Sequence, residues 1–339
     1  MKAKQFFSYR KAFAFLIICA SLFACEKDPI PPLPPLPPLQ LFDAPEVQTF
    51  EASSVGFNEI EISGQIISDG GTEIIERGFC WGIDSNNVNV NSNKKSVVVT
   101  TNKFFLNLTG LNRNTKYYVK AYASNDVGTA YGQAVEVYTY DIADNEGNMY
   151  HTVKIGGQVW TVENLRTRHY NNSDPIVYEP LAANWGTLKT GAYTAYNNSS
   201  EMAEKYGYLY NYLAVTDPRG IAPEGWRIPS GDDFEELKNF LGGYSPAGPA
   251  LMNQLGWPET SRPITNSTGF SALPNGGIAK NSETGLYEYS GGNEIAAFIT
   301  NQIFGGYLIM VIISAEKQFL STGGLYDHLA GAGVRLIKQ

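Results

Sequence analysis

From about Ala44 to Tyr140 the chain alternates apolar and polar residues in short runs broken by turn residues, the pattern of strands with one buried face. Ile60, Ile62, Gly64 and Ile66 alternate across 57–67, and 74–81, 97–108, 116–123 and 130–139 supply further strands. Such a series predicts an all-β sandwich over 44–140. After it the texture changes: over 141–339 glycine, asparagine and aromatic residues dominate, periodic segments are few, and the length suffices for a separate core. Residues 147–160 read as a β-hairpin with Gly156-Gly157 as its tight turn. Tyr208, Tyr210 and Tyr212 alternate as one face of a strand. One helix is well marked. An extended approach over 220–230 contains a buried Trp226 and a Pro229 stop, and Ser230 is placed as N-cap with Asp233 at N3. Asp232 and Asp233 suit the positive end of the helix dipole, Phe234, Leu237, Phe240 and Leu241 share one face, and Gly242-Gly243 closes it.

The first 24 residues set Lys2, Lys4, Arg10 and Lys11 ahead of an apolar run from Ala12 to Ala24, which reads as a signal peptide too short to span a bilayer comfortably. Its end, Leu22-Phe23-Ala24-Cys25, resembles the lipobox of bacterial lipoproteins and implies lipidation of Cys25; an ordinary secreted or uncleaved segment is the other reading. Cys19 fits less well, because Ile18 is too bulky for the cleavage position. Residues 25–43 form a proline-rich stalk, with a polyproline II rod through Pro31–Pro38; a ligand for a proline-recognition domain is the alternative. Glu26 and Asp28 resemble the surface-export signal of Bacteroidetes lipoproteins, which implies a palmitoylated, lipid-anchored, surface-exposed protein of the cell outer membrane. External and periplasmic leaflets both remain open.

The formal net charge is −8, and removal of 1–24 takes away four basic residues and no acidic one. That balance argues against nucleic acid and anionic membrane surfaces as partners. Of the cysteines only Cys80 would then remain unmodified, so no disulfide framework and no cysteine-based metal site is available, and Gly78-Phe79-Cys80-Trp81 suits a small core residue.

The segment Leu108-Thr109-Gly110-Leu111-Asn112-Arg113-Asn114-Thr115-Lys116-Tyr117 resembles the E–F corner of a fibronectin type III domain, where a leucine packs inward and the tyrosine six residues on, here Tyr117, bonds back across the corner. Such a module usually serves as a spacer or docking surface. The series Val159-Trp160, Glu163-Asn164-Leu165, Tyr208-Leu209-Tyr210-Asn211, Gly225-Trp226-Arg227-Ile228-Pro229-Ser230, Gly269-Phe270-Ser271-Ala272-Leu273-Pro274 and Val334-Arg335 resembles the Fibrobacter succinogenes major paralogous domain. That resemblance implies an α+β, loop-rich fold similar to C-type lectin-like domains, structural roles for Trp160, Trp226 and Ser230, and a family largely without assigned biochemistry. Residues 296–313 depart from the family pattern and Leu336 replaces its closing cysteine, so a ligand contact in that half would be lost here.

Tyr193, Tyr196, Tyr208 and Tyr210, with Trp185, are the candidate ligand-binding residues, since flat rings beside asparagines stack on sugars; the competing reading places those rings in the core. Asp141, Asp144, Asn145, Glu146 and Asn148 form the one oxygen-rich cluster to test for calcium, and it reads better as a tight turn. His151, His169 and His328 are isolated in sequence, and Glu224, Glu235 and Glu236 are better explained by capping and solvation than by glycosidase chemistry. No catalytic motif, metal site or cofactor is expected. The expectation is a non-catalytic recognition protein for a glycan or an envelope partner. The alternatives are a surface assembly component and, behind it, a hydrolase or modifying enzyme.

Overall fold

In the computed structural model, which describes residues 41–325 and 328–339, the first half is a sandwich of antiparallel strands. The expected signal segment, Cys25 and the proline run lie outside the described residues. The strands are β1 (Glu46–Thr49), β2 (Ser54–Val55), β3 (Glu59–Ser68), β4 (Glu76–Gly82), β5 (Asn93–Ser96), β6 (Lys103–Thr109), β7 (Lys116–Ser124), β8 (Thr129–Tyr131) and β9 (Val135–Tyr138). In one sheet β3 is paired by β1 and β2 and, separately, by β6; in the other the order is β5-β4-β7, with β8 and β9 both on β7. Alternation puts Ile60, Ile62, Ile66, Phe104 and Leu108 of the first sheet against Phe79, Val119, Ala121 and Val137 of the second. Each of these side chains other than Ala121 contributes about 1.5–3 kcal/mol relative to exposure. The sheets meet so closely at Gly64 that a Cβ there would lie 2.7 Å from that of Ala121.

Tyr117 is buried and its hydroxyl accepts a 3.0 Å hydrogen bond from the Asn112 amide, which pins the turn ahead of β7. Cys80 is buried, its thiol donating to the Lys120 carbonyl, and burial pushes its pKa up to about 11.

The second half joins its own ends. The hairpin Thr152–Ile155/Gln158–Thr161 turns on Gly156-Gly157, and its second strand pairs with Ile337–Lys338, which pairs in turn with Trp226–Arg227. A three-stranded sheet links Val177–Tyr178, Ala192–Thr194 and Leu209–Tyr210. A five-stranded sheet runs in the order Tyr287–Gly292, Asn275–Lys280, Ile295–Phe304, Tyr307–Ser314, Leu320–Leu325, so the stretch that departs from the family pattern forms its central hairpin. Helices are few: Ser200–Tyr206, Tyr212–Val215, Gly231–Phe240 and Tyr244–Leu251.

The helix at 231–240 starts as its sequence dictates. Ser230 Oγ accepts from the Asp233 amide at 3.2 Å, and Asp233 Oδ2 accepts from the Ser230 amide at 2.7 Å, a complete capping box. Arg227 then forks onto both Asp233 oxygens at 2.6 and 2.7 Å. Burial raises the Asp233 carboxyl, but the hydrogen bonds from Arg227 and Ser230 outweigh it and hold the pKa below the ordinary value. Trp226 is buried in the core. Phe234 and Leu237 are buried as the spacing predicts, whereas Phe240 is 62% exposed: at the last turn it leaves the core and covers Gly156 of the hairpin, where a Cβ would lie 2.9 Å from its ring.

One further correction, and one helix the sequence pattern did not mark, have local causes. Tyr212 does not continue a strand, because Asn211 caps a short helix, its Oδ1 accepting from the Ala214 and Ala192 amides at 3.0 Å. Residues 244–251 are helical despite two prolines. Pro246 falls in the first turn, where no internal donor is needed, and the Ser245 carbonyl that Pro249 leaves free accepts from Arg262 Nη1 at 2.9 Å.

Candidate functional site

Residues 42–339 form one compact unit, so the sandwich is docked on the second half. Two turns make the seam. Asn114, at φ +49°, donates from Nδ2 to the Thr152 carbonyl at 2.9 Å and accepts from the Thr152 amide at 3.1 Å. Thr152 Oγ1 donates to Asp141 Oδ2 at 2.7 Å. Beside them the His151 ring stacks on Tyr138 at 4.1 Å and lies 4.3 Å from Tyr140. Its Nδ1 is 2.6 Å from Glu163 Oε1 and its Nε2 is 3.1 Å from the Tyr138 carbonyl. Both ring nitrogens face acceptors, an arrangement that only the doubly protonated ring satisfies in full. Burial works to lower the His151 pKa, but the hydrogen bond and charge of Glu163 prevail and it is raised.

A cleft of about 660 Å³ opens along this seam. Tyr138 and Tyr140 of the sandwich form one wall; His151, Glu163, Asn164, Arg166, Glu204, Lys205 and Tyr206 are among the residues lining the rest, as is Arg335. A hollow of about 300 Å³ adjoins it through the shared Arg166 and Glu204 and adds Asn148, Arg168, Ser200 and Tyr208.

Arg335 organises its part of the lining. Wholly buried, it donates from Nε to Asn164 Oδ1 at 2.6 Å, from Nη1 to the Thr161 and Phe270 carbonyls at 2.9 and 2.7 Å, and from Nη2 to the Ser271 carbonyl at 3.2 Å. Its guanidinium lies 4.6 Å from the centre of the Phe270 ring. Burial pulls its pKa down to about 9, only partly opposed by the charge of Glu163, so it is still a cation at neutral pH. Asn164 passes the contact on, its Nδ2 donating to the Tyr206 carbonyl at 2.8 Å.

The expected aromatic residues separate into core and rim. Trp185 is wholly buried beside Ala182, Leu209 and Ile278, with Nε1 donating to the Glu179 carbonyl at 3.2 Å. Tyr210 is wholly buried and donates to the Thr167 carbonyl at 2.6 Å; burial raises its pKa well above the usual value. Neither presents a ring face, so a stacking platform cannot include them. Tyr193 is buried among Tyr178, Tyr208 and Tyr210, and burial pushes its pKa up to about 12. Tyr196 is half-buried and accepts from the Gly292 amide at 3.0 Å, which makes it a staple between elements. Tyr208 lines the hollow beside the cleft.

The oxygen-rich cluster is a hydrogen-bonded turn. Asp144 Oδ1 accepts from the Glu146 and Asn148 amides, and Oδ2 from Asn148 Nδ2 and the Tyr150 hydroxyl. Glu146 is bound by Arg168 at 3.0 Å and His169 at 2.6 Å; burial raises its pKa, but these hydrogen bonds prevail and lower it. His328 Nε2 lies 3.1 Å from the Gly306 carbonyl, away from the other histidines' partners.

Sequence reasoning did not place Tyr138, Tyr140, His151, Glu163, Arg166 and Arg335 together. The available signal was that Glu163-Asn164-Leu165 and Val334-Arg335 are both motif segments, but nothing in the sequence pairs residues 171 positions apart.

Fold and cleft define a modular protein: a β-sandwich docked on a loop-rich domain of short sheets and few helices. Residues 153–338, more than half of the chain, match the family described as the Fibrobacter succinogenes major domain, and the chain belongs to that family. No curated protein matches the chain. Among solved structures it is similar to the sensor domain of the anti-sigma factor RsgI4 in Pseudobacteroides cellulosolvens, at 18% identity over 29% of this chain and 96% of that one, with a TM-score of 0.23. It is also similar to the fibronectin type III domain of human fibronectin type III domain containing protein 3, at 18% identity over 29% and 84%, TM-score 0.18. A set of titin domains is similar at 17% identity over 29% and 32%, TM-score 0.22.

Proposed function

We propose that this chain is a non-catalytic recognition protein, anchored to the cell outer membrane by a lipid on Cys25 and surface-exposed, whose seam cleft binds a glycan. The C-type lectin-like reading of the C-terminal domain is part of the same proposal. The supporting observation is the cleft itself: Tyr138 and Tyr140, each packed on the His151 ring, stand beside Asn164, Glu163 and Arg166, with Tyr208 in the adjoining hollow. Aromatic faces with a few fixed donors and acceptors are what sugar rings and their hydroxyls require. The role of the sandwich then exceeds that of a spacer, since it supplies one wall.

A glycan array probed with the full chain tests this reading, followed by titration of the hits against Tyr208→Ala and Tyr140→Ala. Each substitution is expected to weaken binding about tenfold, equivalent to about 1.4 kcal/mol. Failure to bind plant, host and bacterial glycans alike, or binding indifferent to both substitutions, sinks it. One observation favours a second reading, an assembly component that docks a protein. Phe304 is 73% exposed beside the Gly305-Gly306 tip of the central hairpin. Stable co-purification with an envelope protein that Phe304→Ser abolishes would support that reading.

A further inference from the structure

The chain is acidic overall, with a formal charge of −8, yet its cleft gathers Arg166, Lys205 and Arg335, and the adjoining hollow adds Arg168. Of the carboxylates there, Glu163 is committed to His151 through both oxygens, which leaves Glu204. Arg168 is held by Glu146, but Arg166, Lys205 and Arg335 make no ion pair with any described residue. Arg166 is the least satisfied: its Nε is buried with no hydrogen-bond partner among the described residues, and Nη2 reaches only the Met149 carbonyl, at 3.5 Å. Leu165 is buried in the core while its neighbours Asn164 and Arg166 both line the cleft, so Arg166 is presented on the side where Arg335 holds Asn164. Lys205 is exposed, but Arg335 is buried and Arg166 half-buried, and cations partly withdrawn from water with no paired counter-charge are costly, a cost that a bound anion lowers. A guanidinium with unused donors also offers the planar fork that carboxylates and other oxyanions fit.

We infer that the cleft takes an anionic sugar, its carboxylate or sulfate seated on Arg166 with Lys205 at the rim and Arg335 below. This rests on the glycan reading and narrows it to a charged class. Burial lowers the Arg335 pKa, and the charge of Glu163 opposes this only in part.

Titration calorimetry of the full chain decides it, with oligogalacturonate, the same oligomer methyl-esterified at every carboxyl, and a sulfated oligosaccharide as probes. One anionic probe is expected to bind at least about tenfold more tightly than the ester, and Arg166→Gln to erase that preference without moving the unfolding midpoint. Preference for the carboxylate alone assigns the site to uronates; equal uptake of the sulfated probe assigns it to anionic sugars in general. Acid and ester binding alike overturns the anionic assignment and leaves glycan binding standing, and a preference that survives Arg166→Gln overturns the seat on Arg166. If these probes and the neutral glycans of the array all fail to bind, both readings fall together.

Discussion

Replacing Arg335 by methionine is expected to destabilise the C-terminal domain by about 4 kcal/mol. Methionine fills much of the same volume and removes a buried charge, a change that in isolation is neutral or favourable. The loss comes from the partners. The Thr161, Phe270 and Ser271 carbonyls and Asn164 Oδ1 all face this one guanidinium, and without it all but the half-buried Ser271 carbonyl are left buried without that donor. Each buried unsatisfied acceptor costs about 1–3 kcal/mol, so even partial relaxation leaves a large deficit. Lysine keeps the charge but carries it on a single ammonium, which cannot reach acceptors distributed around a planar fork, so Arg335→Lys is expected to recover only part of the loss. Denaturant unfolding followed by tryptophan fluorescence measures both. A shift below about 1 kcal/mol for Arg335→Met would show that these carbonyls find other donors and that the residue does not hold the cleft lining.

Trp160→Ala is expected to cost a similar amount, about 4 kcal/mol, for a different reason. Trp160 is wholly buried on the strand that joins both ends of the domain, and its ring lies 4.8 Å from Phe234 and 5.7 Å from Phe270. Phe298, from the central hairpin, closes the group at 6.0 Å from Phe234 and 5.8 Å from Phe270. Truncation opens a cavity at the meeting point of a hairpin, a helix, a loop and the five-stranded sheet, and separate elements collapse into such a space poorly. Trp160→Phe, which keeps most of the volume, is expected to lose less than half as much. The same unfolding experiment separates the variants, and equal stability of Trp160→Ala and the parent chain would remove this aromatic group from the account of the core.

The legible features of this fold are those whose cause lies within a few residues. The capping box at Ser230 and Asp233, the two-residue turn at Gly156-Gly157 and the bond from Asn112 back to Tyr117 each join near neighbours, and the sequence specifies them through turn and cap chemistry. The helix at 244–251 was hidden because its prolines argue against it, and the group that answers Pro249, Arg262, is supplied from outside the helix. Aromatic residues announced themselves by composition, but composition does not say which way a ring points. Trp185 and Tyr210 went to the core because each found a backbone carbonyl for its polar atom, whereas Tyr208, one residue before a buried strand, stayed at the rim. The cleft was not legible at all. It depends on Asn114 meeting Thr152, on Arg335 meeting Asn164 and on the sandwich lending Tyr138 and Tyr140 to a domain that begins after them.

Hydrogen exchange of the full chain, with and without a bound oligosaccharide, tests the central claim most directly. The account predicts that added protection concentrates at 138–140, 163–168 and 204–208, the segments that wall the cleft and its adjoining hollow. Protection confined to the hollow around Pro223 and Trp226, or to the hairpin tip at 304–306, would contradict it.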